Sequence, residues 1–246
     1  MANQAKLRQV GVARALSKLG YCSRAAGSAM AQAGRVRVNG VLRHDPESPV
    51  HLGKDRIEVD GRLLQAGARV YLMMNKPRGV VTTASDEKGR QTVYAYLSVD
   101  LPWVAPVGRL DKASQGLLLL TNDSEWAGRV TAPETHLDKT YHVQVKAVVD
   151  QEFVESMMRG INTEDGVLRV KRAAILRAGE KKTWLEVILD EGKNRQIRRI
   201  LEALRVEVLQ IVRVAIGPLV LGELRKGEVR PLSAQEKSAI DRAMRP

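Results

Sequence analysis

The chain has 246 residues, long enough for one large domain or two smaller ones around a full core. Its 40 Lys and Arg outweigh 28 Asp and Glu, a formal net charge of +12 that points to polyanionic partners, nucleic acid before membrane, since no apolar run approaches the roughly 20 residues a span needs. The first residues lack the apolar core of a secretory signal, the lone Cys22 excludes an internal disulfide, and the scattered histidines offer no HExxH or CxxC spacing, so a reduced, cytoplasmic protein without a metal is expected.

Residues 1 to 44 carry eight basic side chains, Lys6, Arg8, Arg14, Lys18, Arg24, Arg35, Arg37 and Arg43, and no acid before Asp45. Val12, Leu16 and Leu19 share one helical face, with Gly20 as a stop, and Ser23 is placed to cap a second helix running to Ala33 before Gly34. In RVRVNGVL, Val36 and Val38 alternate with Arg35 and Arg37 ahead of an Asn39-Gly40 hairpin turn, and Asp60-Gly61 marks another turn. A basic module over residues 1 to 61 is expected, followed by a linker at 62 to 68.

From residue 69 to 246 strand patterns outnumber helices. Val70 to Thr83 is strand-like until Lys76-Pro77-Arg78-Gly79 breaks it, and Thr140 to Val149 and Thr183 to Leu189 alternate apolar with polar. Asn194 to Arg205 is predicted as a helix whose apolar face holds Ile197, Ile200, Leu201 and Leu204. The short connections predict an α+β fold: a mixed, mainly antiparallel sheet with flanking helices. Gly222 and Gly227 have phosphate-loop spacing, but Glu228 and Val229 follow where Lys and Ser or Thr are needed, and no G-x-G-x-x-G occurs, so no nucleotide cofactor is expected.

Three stretches carry possible chemistry. In VGRLDKASQGLLLLTND, Asp111 stands on a loop ahead of a buried strand, where it reads as a turn former or as a rigidly aimed nucleophile or base. Tyr141 opens the strand YHVQVKAVV and could pack in a core or stack on a nucleobase. Lys193, Arg195, Arg198 and Arg199 crowd a helix start, against the macrodipole, which favours a nearby carboxylate or phosphate.

The pattern RALSKLGYCSRAAGSAMAQAGRVRVNG resembles the α-L RNA-binding domain known from a small-subunit ribosomal protein. The ordered set NKPRGVVTT, GRLDKASQGLLLLTND, DKTYHVQV, EGKNRQIRRILEAL and IGPLVLGELRKGEVRPL resembles the RsuA-type pseudouridine synthases that modify ribosomal RNA. That resemblance implies catalysis by Asp111, with Tyr141 and Arg198 as partners, on a uridine flipped out of ribosomal RNA or an assembly intermediate, by a monomer needing no cofactor. It implies RNA contacts from Arg24, Arg35, Arg37, Lys76, Arg78, Arg109 and Arg195. At Ser114 the family more often carries Thr. No long basic tail follows as in some large-subunit relatives, which tilts expectation toward the small subunit. Two other functions fit parts of the pattern. One is a non-catalytic RNA-binding assembly protein; the other is a glycoside hydrolase, which would need a second carboxylate that does not stand out near Asp111.

Overall fold

In the computed structural model, which describes residues 9–65, 67–164 and 166–244, the chain divides into two units. Lys6 and Arg8 lie outside the described residues. The first unit comprises Met1–Tyr71, Ser98–Ala105 and Leu120–Ser124, the second Leu72–Leu97, Pro106–Leu119 and Glu125–Pro246.

The first unit begins with β1 (Gln9–Gly11), α1 (Val12–Lys18) and α2 (Arg24–Gln32). The Ser23 hydroxyl accepts from the Ala26 amide at 3.0 Å, the cap its position in sequence suggested. A Cβ on Gly27 would lie 3.1 Å from the Ala13 carbonyl oxygen, so this glycine lets the two helices meet closely. Four strands follow in one small sheet: β2 (Val36–Val38), β3 (Val41–Leu42), β5 (Ile57–Val59) and β6 (Arg62–Leu63) in the order β3-β2-β5-β6, while β4 (Pro49–His51) pairs with β1. Asn39 and Gly40 have φ of 51° and 81°, and Asp60 and Gly61 50° and 76°, the left-handed pairs that tight hairpins require. Val12, Leu16, Val36, Val38, Ile57 and Val59 form the core, each burial contributing roughly 1.5–3 kcal/mol.

The expected module boundary at residue 61 falls inside this last hairpin. Strand β6 pairs Arg62 with Val59 and Leu63 with Glu58, and the Leu64 amide reaches the Ile57 carbonyl, so the small sheet continues into the segment expected to be linker. Its last residue, Ala68, and the three that follow are fastened too. The Asn122 side chain accepts from the Val70 amide and donates to the Ala68 carbonyl, Thr121 donates to the Val70 carbonyl, and the Asp123 carboxylate holds Arg69 and the Tyr71 hydroxyl. Trp103 likewise donates its amide to the Gly20 carbonyl at 3.1 Å.

The main sheet contains β7 (Tyr71–Lys76), β8 (Ala105–Val107), β9 (Gln115–Thr121), β10 (Lys139–Val145), β13 (Arg172–Ala178), β14 (Thr183–Leu189), β15 (Val208–Ile216), β16 (Leu219–Val220) and β17 (Val229–Pro231). Its order is β13-β14-β10-β15-β9-β7-β17, with β16 beside β15 and β8 beside β9. Strand β15 runs antiparallel to β10 and parallel to β9, which makes the sheet mixed. The four leucines Leu117–Leu120 are fully buried, as expected of a strand covered on both faces. A separate hairpin joins β11 (Ile161–Thr163) to β12 (Gly166–Leu168).

Four helices accompany these strands: α3 (Ser124–Thr131), α4 (Gln151–Arg159), α5 (Gln196–Ala203) and α6 (Ala234–Ala243). Helices α4 and α5 supply Val154, Met157, Ile197, Ile200 and Leu201 to a core shared with Val143, Val145, Leu185, Val187 and Ile211. Helix α5 is shorter than predicted at both ends. Arg195 is left-handed, at φ 49°, so the helix starts after it, and Leu204 ends it ahead of left-handed Arg205 at φ 57°. On β7, Asn75 bonds three times to the stretch before β17: its amide to the Glu228 carbonyl, its side chain to the Leu224 carbonyl, and its own carbonyl to the Gly227 amide. Among the described residues no helix is long and apolar enough to cross a membrane.

Candidate active site

Asp111 lies on the loop between β8 and β9, and each backbone carbonyl from Leu110 to Ser114 meets a donor. The Thr82 hydroxyl donates to Leu110 at 2.8 Å, and the Gly79 amide to Lys112 at 2.7 Å. Arg198 Nη2 donates to Ala113 at 3.1 Å, while Lys76 Nζ reaches Asp111 at 3.2 Å and Ser114 at 2.9 Å. The Ser114 amide closes the turn onto the Asp111 carbonyl at 3.0 Å. A loop held at every residue aims its side chain without further ordering, which is what a nucleophile or base needs.

Lys76, expected among the RNA contacts, is fully buried beneath this loop and so cannot touch a polyanion at the surface. Its ammonium also bonds the Pro77 carbonyl at 3.0 Å. Three carbonyl acceptors explain why a lysine is tolerated in the core. Burial pulls its pKa down to about 8, Asp111 opposing and Arg213 adding to the fall.

Arg198 projects from the first turn of α5 to Asp111, its Nε 3.9 Å from Oδ2. That is an ion pair without a hydrogen bond, and the buried Nε has no acceptor. Burial lowers the Arg198 pKa, with Asp111 pulling the other way and Arg195 and Arg78 depressing it further. Tyr141, half-buried on β10, lines the same cavity, of about 240 Å³, as Asp111, Arg198 and Ser114. Six basic residues, Arg109, Lys139, Lys193, Arg195, Arg198 and Arg213, against Asp111, Asp190 and Glu191 make the cavity suited to an anion.

A family model described as RNA pseudouridylate synthase matches residues 70–203, and one described as S4 domain matches residues 11–57. The chain belongs to the RNA pseudouridylate synthase family. It is an RsuA-type enzyme with an S4 RNA-binding domain at its N-terminus. "Ribosomal large subunit pseudouridine synthase B" of Bacillus subtilis is 35% identical over 91% of this chain and 92% of its own length. An uncharacterized RNA pseudouridine synthase of Aquifex aeolicus is 35% identical over 97% of this chain and 96% of its own. A solved structure titled "Crystal structure of pseudouridylate synthase" superposes with a TM-score of 0.66 at 27% identity, covering 94% of this chain and 99% of that one.

In this pseudouridine synthase the sequence-predicted trio Asp111, Tyr141 and Arg198 meets in one cavity. Arg109 and Arg195 line that cavity and are exposed, and Arg78 is exposed nearby, its guanidinium bonded to the Leu209 carbonyl. Arg24, Arg35 and Arg37 are exposed in the first unit, where Arg35 pairs bidentately with Asp60 and Arg37 donates to the Gly40 carbonyl.

Sequence reasoning missed four charged lining residues of this pseudouridine synthase. Asp190 and Glu191 are acids in the cavity where none was expected, although the Glu191 carboxylate already holds Lys193 at 3.1 Å and Gln196 at 2.7 Å. Lys139 and Arg213 are the others, and a signal for Arg213 existed: in LQIVRVAI it shares its strand face with Ile211, a charge in a core position.

Proposed function

We propose that the enzyme converts a specific uridine of ribosomal RNA to pseudouridine, with Asp111 beside the ribose, Arg198 pairing with it and Tyr141 stacking on the base. The observation that carries the site assignment is the clamp on every carbonyl from Leu110 to Ser114, which spends two donors of other segments, Lys76 and Arg198, on holding one carboxylate. The name of the Bacillus relative favours large-subunit RNA over small-subunit RNA.

Pseudouridine formation is an isomerisation. The bond from C1′ to N1 breaks, the base turns, and C1′ rejoins at C5, which loses its proton while N1 gains one. Asp111 serves either by attacking C1′ as N1 leaves and being displaced when C5 attacks, or by taking the C2′ proton to give a glycal and returning it as C5 joins C1′. Arg198 orients the carboxylate. The cavity, of about 240 Å³, is small beside ligand pockets of roughly 300–1,000 Å³. The target must therefore leave its stack, at a cost of a few kcal/mol that backbone contacts from exposed Arg24, Arg37, Arg78, Arg109 and Arg195 offset. Cys22, buried and free, suits the reduced cytoplasm proposed as its location.

The test is to map pseudouridines in ribosomal RNA from cells with and without the protein, then to assay purified protein on the corresponding transcripts by tritium release from C5. One site should depend on the protein, wild type should release tritium there, and Asp111→Asn should bind the RNA yet release none. Release by the Asn variant at the wild-type rate would defeat the assignment of Asp111. No protein-dependent site in either subunit's RNA would defeat the ribosomal target.

A further inference from the structure

We propose that Arg213 is a second cationic catalytic residue, which stabilises the uracil anion as it leaves C1′. Its side chain is only 6% exposed, yet it lines the cavity that holds Asp111. Strand register explains how. Arg213 is the cross-strand partner of Tyr141 on β10, and directly opposed residues present their side chains on the same face. On its other side it pairs with Gly116 of β9, where no side chain intervenes.

The guanidinium is fixed from one side only. Nε donates to the Leu117 carbonyl at 2.7 Å, whereas the buried Nη2 has no partner and no carboxylate pairs with the group among the described residues. A buried cation left without an anion is costly, and the cost has a purpose if an anion forms beside it during turnover. Lys139, in the same cavity, is held below its usual pKa by burial and then by Arg213, with Asp138 and Asp190 opposing.

The reaction supplies such an anion. When C1′–N1 breaks, the electron pair goes to the base, and the charge spreads over N1, O2 and O4. Both routes open to Asp111 pass through this separation. The positive guanidinium beside the cavity attracts the base more strongly as that charge grows, which is the condition for speeding the step. When C5 attacks C1′ and loses its proton, N1 takes one up and the charge is gone.

The test compares the full-length wild type with Arg213→Gln and Arg213→Lys on RNA carrying uridine or 5-fluorouridine at the target, with Asp111→Asn in parallel. Fluorine stabilises the departing anion, so a variant lacking external stabilisation should lose less on that substrate. Single-turnover loss of the target nucleoside is read after digestion, with melting temperature and RNA affinity measured alongside. Arg213→Gln should slow uridine roughly 100-fold and 5-fluorouridine roughly tenfold or less, with affinity unchanged and Arg213→Lys recovering most of the rate. Equal losses on the two substrates, or a lysine variant as slow as the glutamine variant, would overturn the proposal. Should Arg213→Gln not fold, Arg213→Met takes its place in the same comparison, and failure of every variant to fold would make Arg213 a sheet residue only. The inference rests on Asp111 acting beside the ribose, and uridine conversion by Asp111→Asn would sink that reading separately.

Discussion

At the residue scale, the lysine under the Asp111 loop carries the clearest consequences. Lys76 has its pKa drawn to about 8 from the usual 10.5, so between those values the unfolded chain holds the proton more tightly. This lysine therefore works against stability at neutral pH, and that penalty fades as pH rises through the window. Its service to the loop runs the other way, because a neutral amine has two protons for three carbonyls. Turnover should fall as pH passes about 8, without a matching fall in melting temperature from this group, and Lys76→Met should abolish the pH limb while cutting turnover roughly 100-fold with RNA affinity intact. Rate against pH for both proteins, with filter binding, checks this; weaker RNA binding by Lys76→Met would return it to the contact surface. The sequence made Asp111, Tyr141 and Arg198 legible because their motifs are contiguous. It hid the role of Lys76 and Arg213, since a basic residue in a basic protein reads as a surface charge until strand register shows it facing inward.

At the element scale, β9 and β15 meet so tightly that one position tolerates no side chain. Gly116 has φ of +105°, and a Cβ there would stand 2.3 Å from the Arg213 carbonyl oxygen and 2.8 Å from its amide nitrogen. Backbone strain and overpacking together put Gly116→Ala at about 2–5 kcal/mol of lost stability, measurable as a lower urea midpoint. A variant as stable as wild type would mean that the parallel pair can part without cost. Capping and turn chemistry were readable here: Ser23, Gly20, Asn39-Gly40 and Asp60-Gly61 act where local rules put them. The end of the small sheet at Leu64 and the short α5 were not, because tertiary pairing decides the first and the left-handed Arg195 the second.

At the scale of the whole molecule, the excess of +12 is an address for RNA, and its effect must be salt-dependent. Replacing both Arg24 and Arg37 by Ala should flatten the plot of log affinity against log salt by roughly 1–2 units and raise KM with kcat held, as loss of uniform binding does. An unchanged slope would free the S4 domain from phosphate contact. The clamp around Asp111 also has a history within each molecule's synthesis. Its donors stand on both sides of the loop, at Lys76, Gly79 and Thr82 before it and Arg198 after it, and Asn75 beside them is tied to Leu224, Gly227 and Glu228. Chains grow from the N-terminus, so Asp111 emerges from the translating ribosome well before its last supports. A half-made enzyme therefore carries its carboxylate on an unfinished loop until Arg198 and the segment from Leu224 to Glu228 are free to dock.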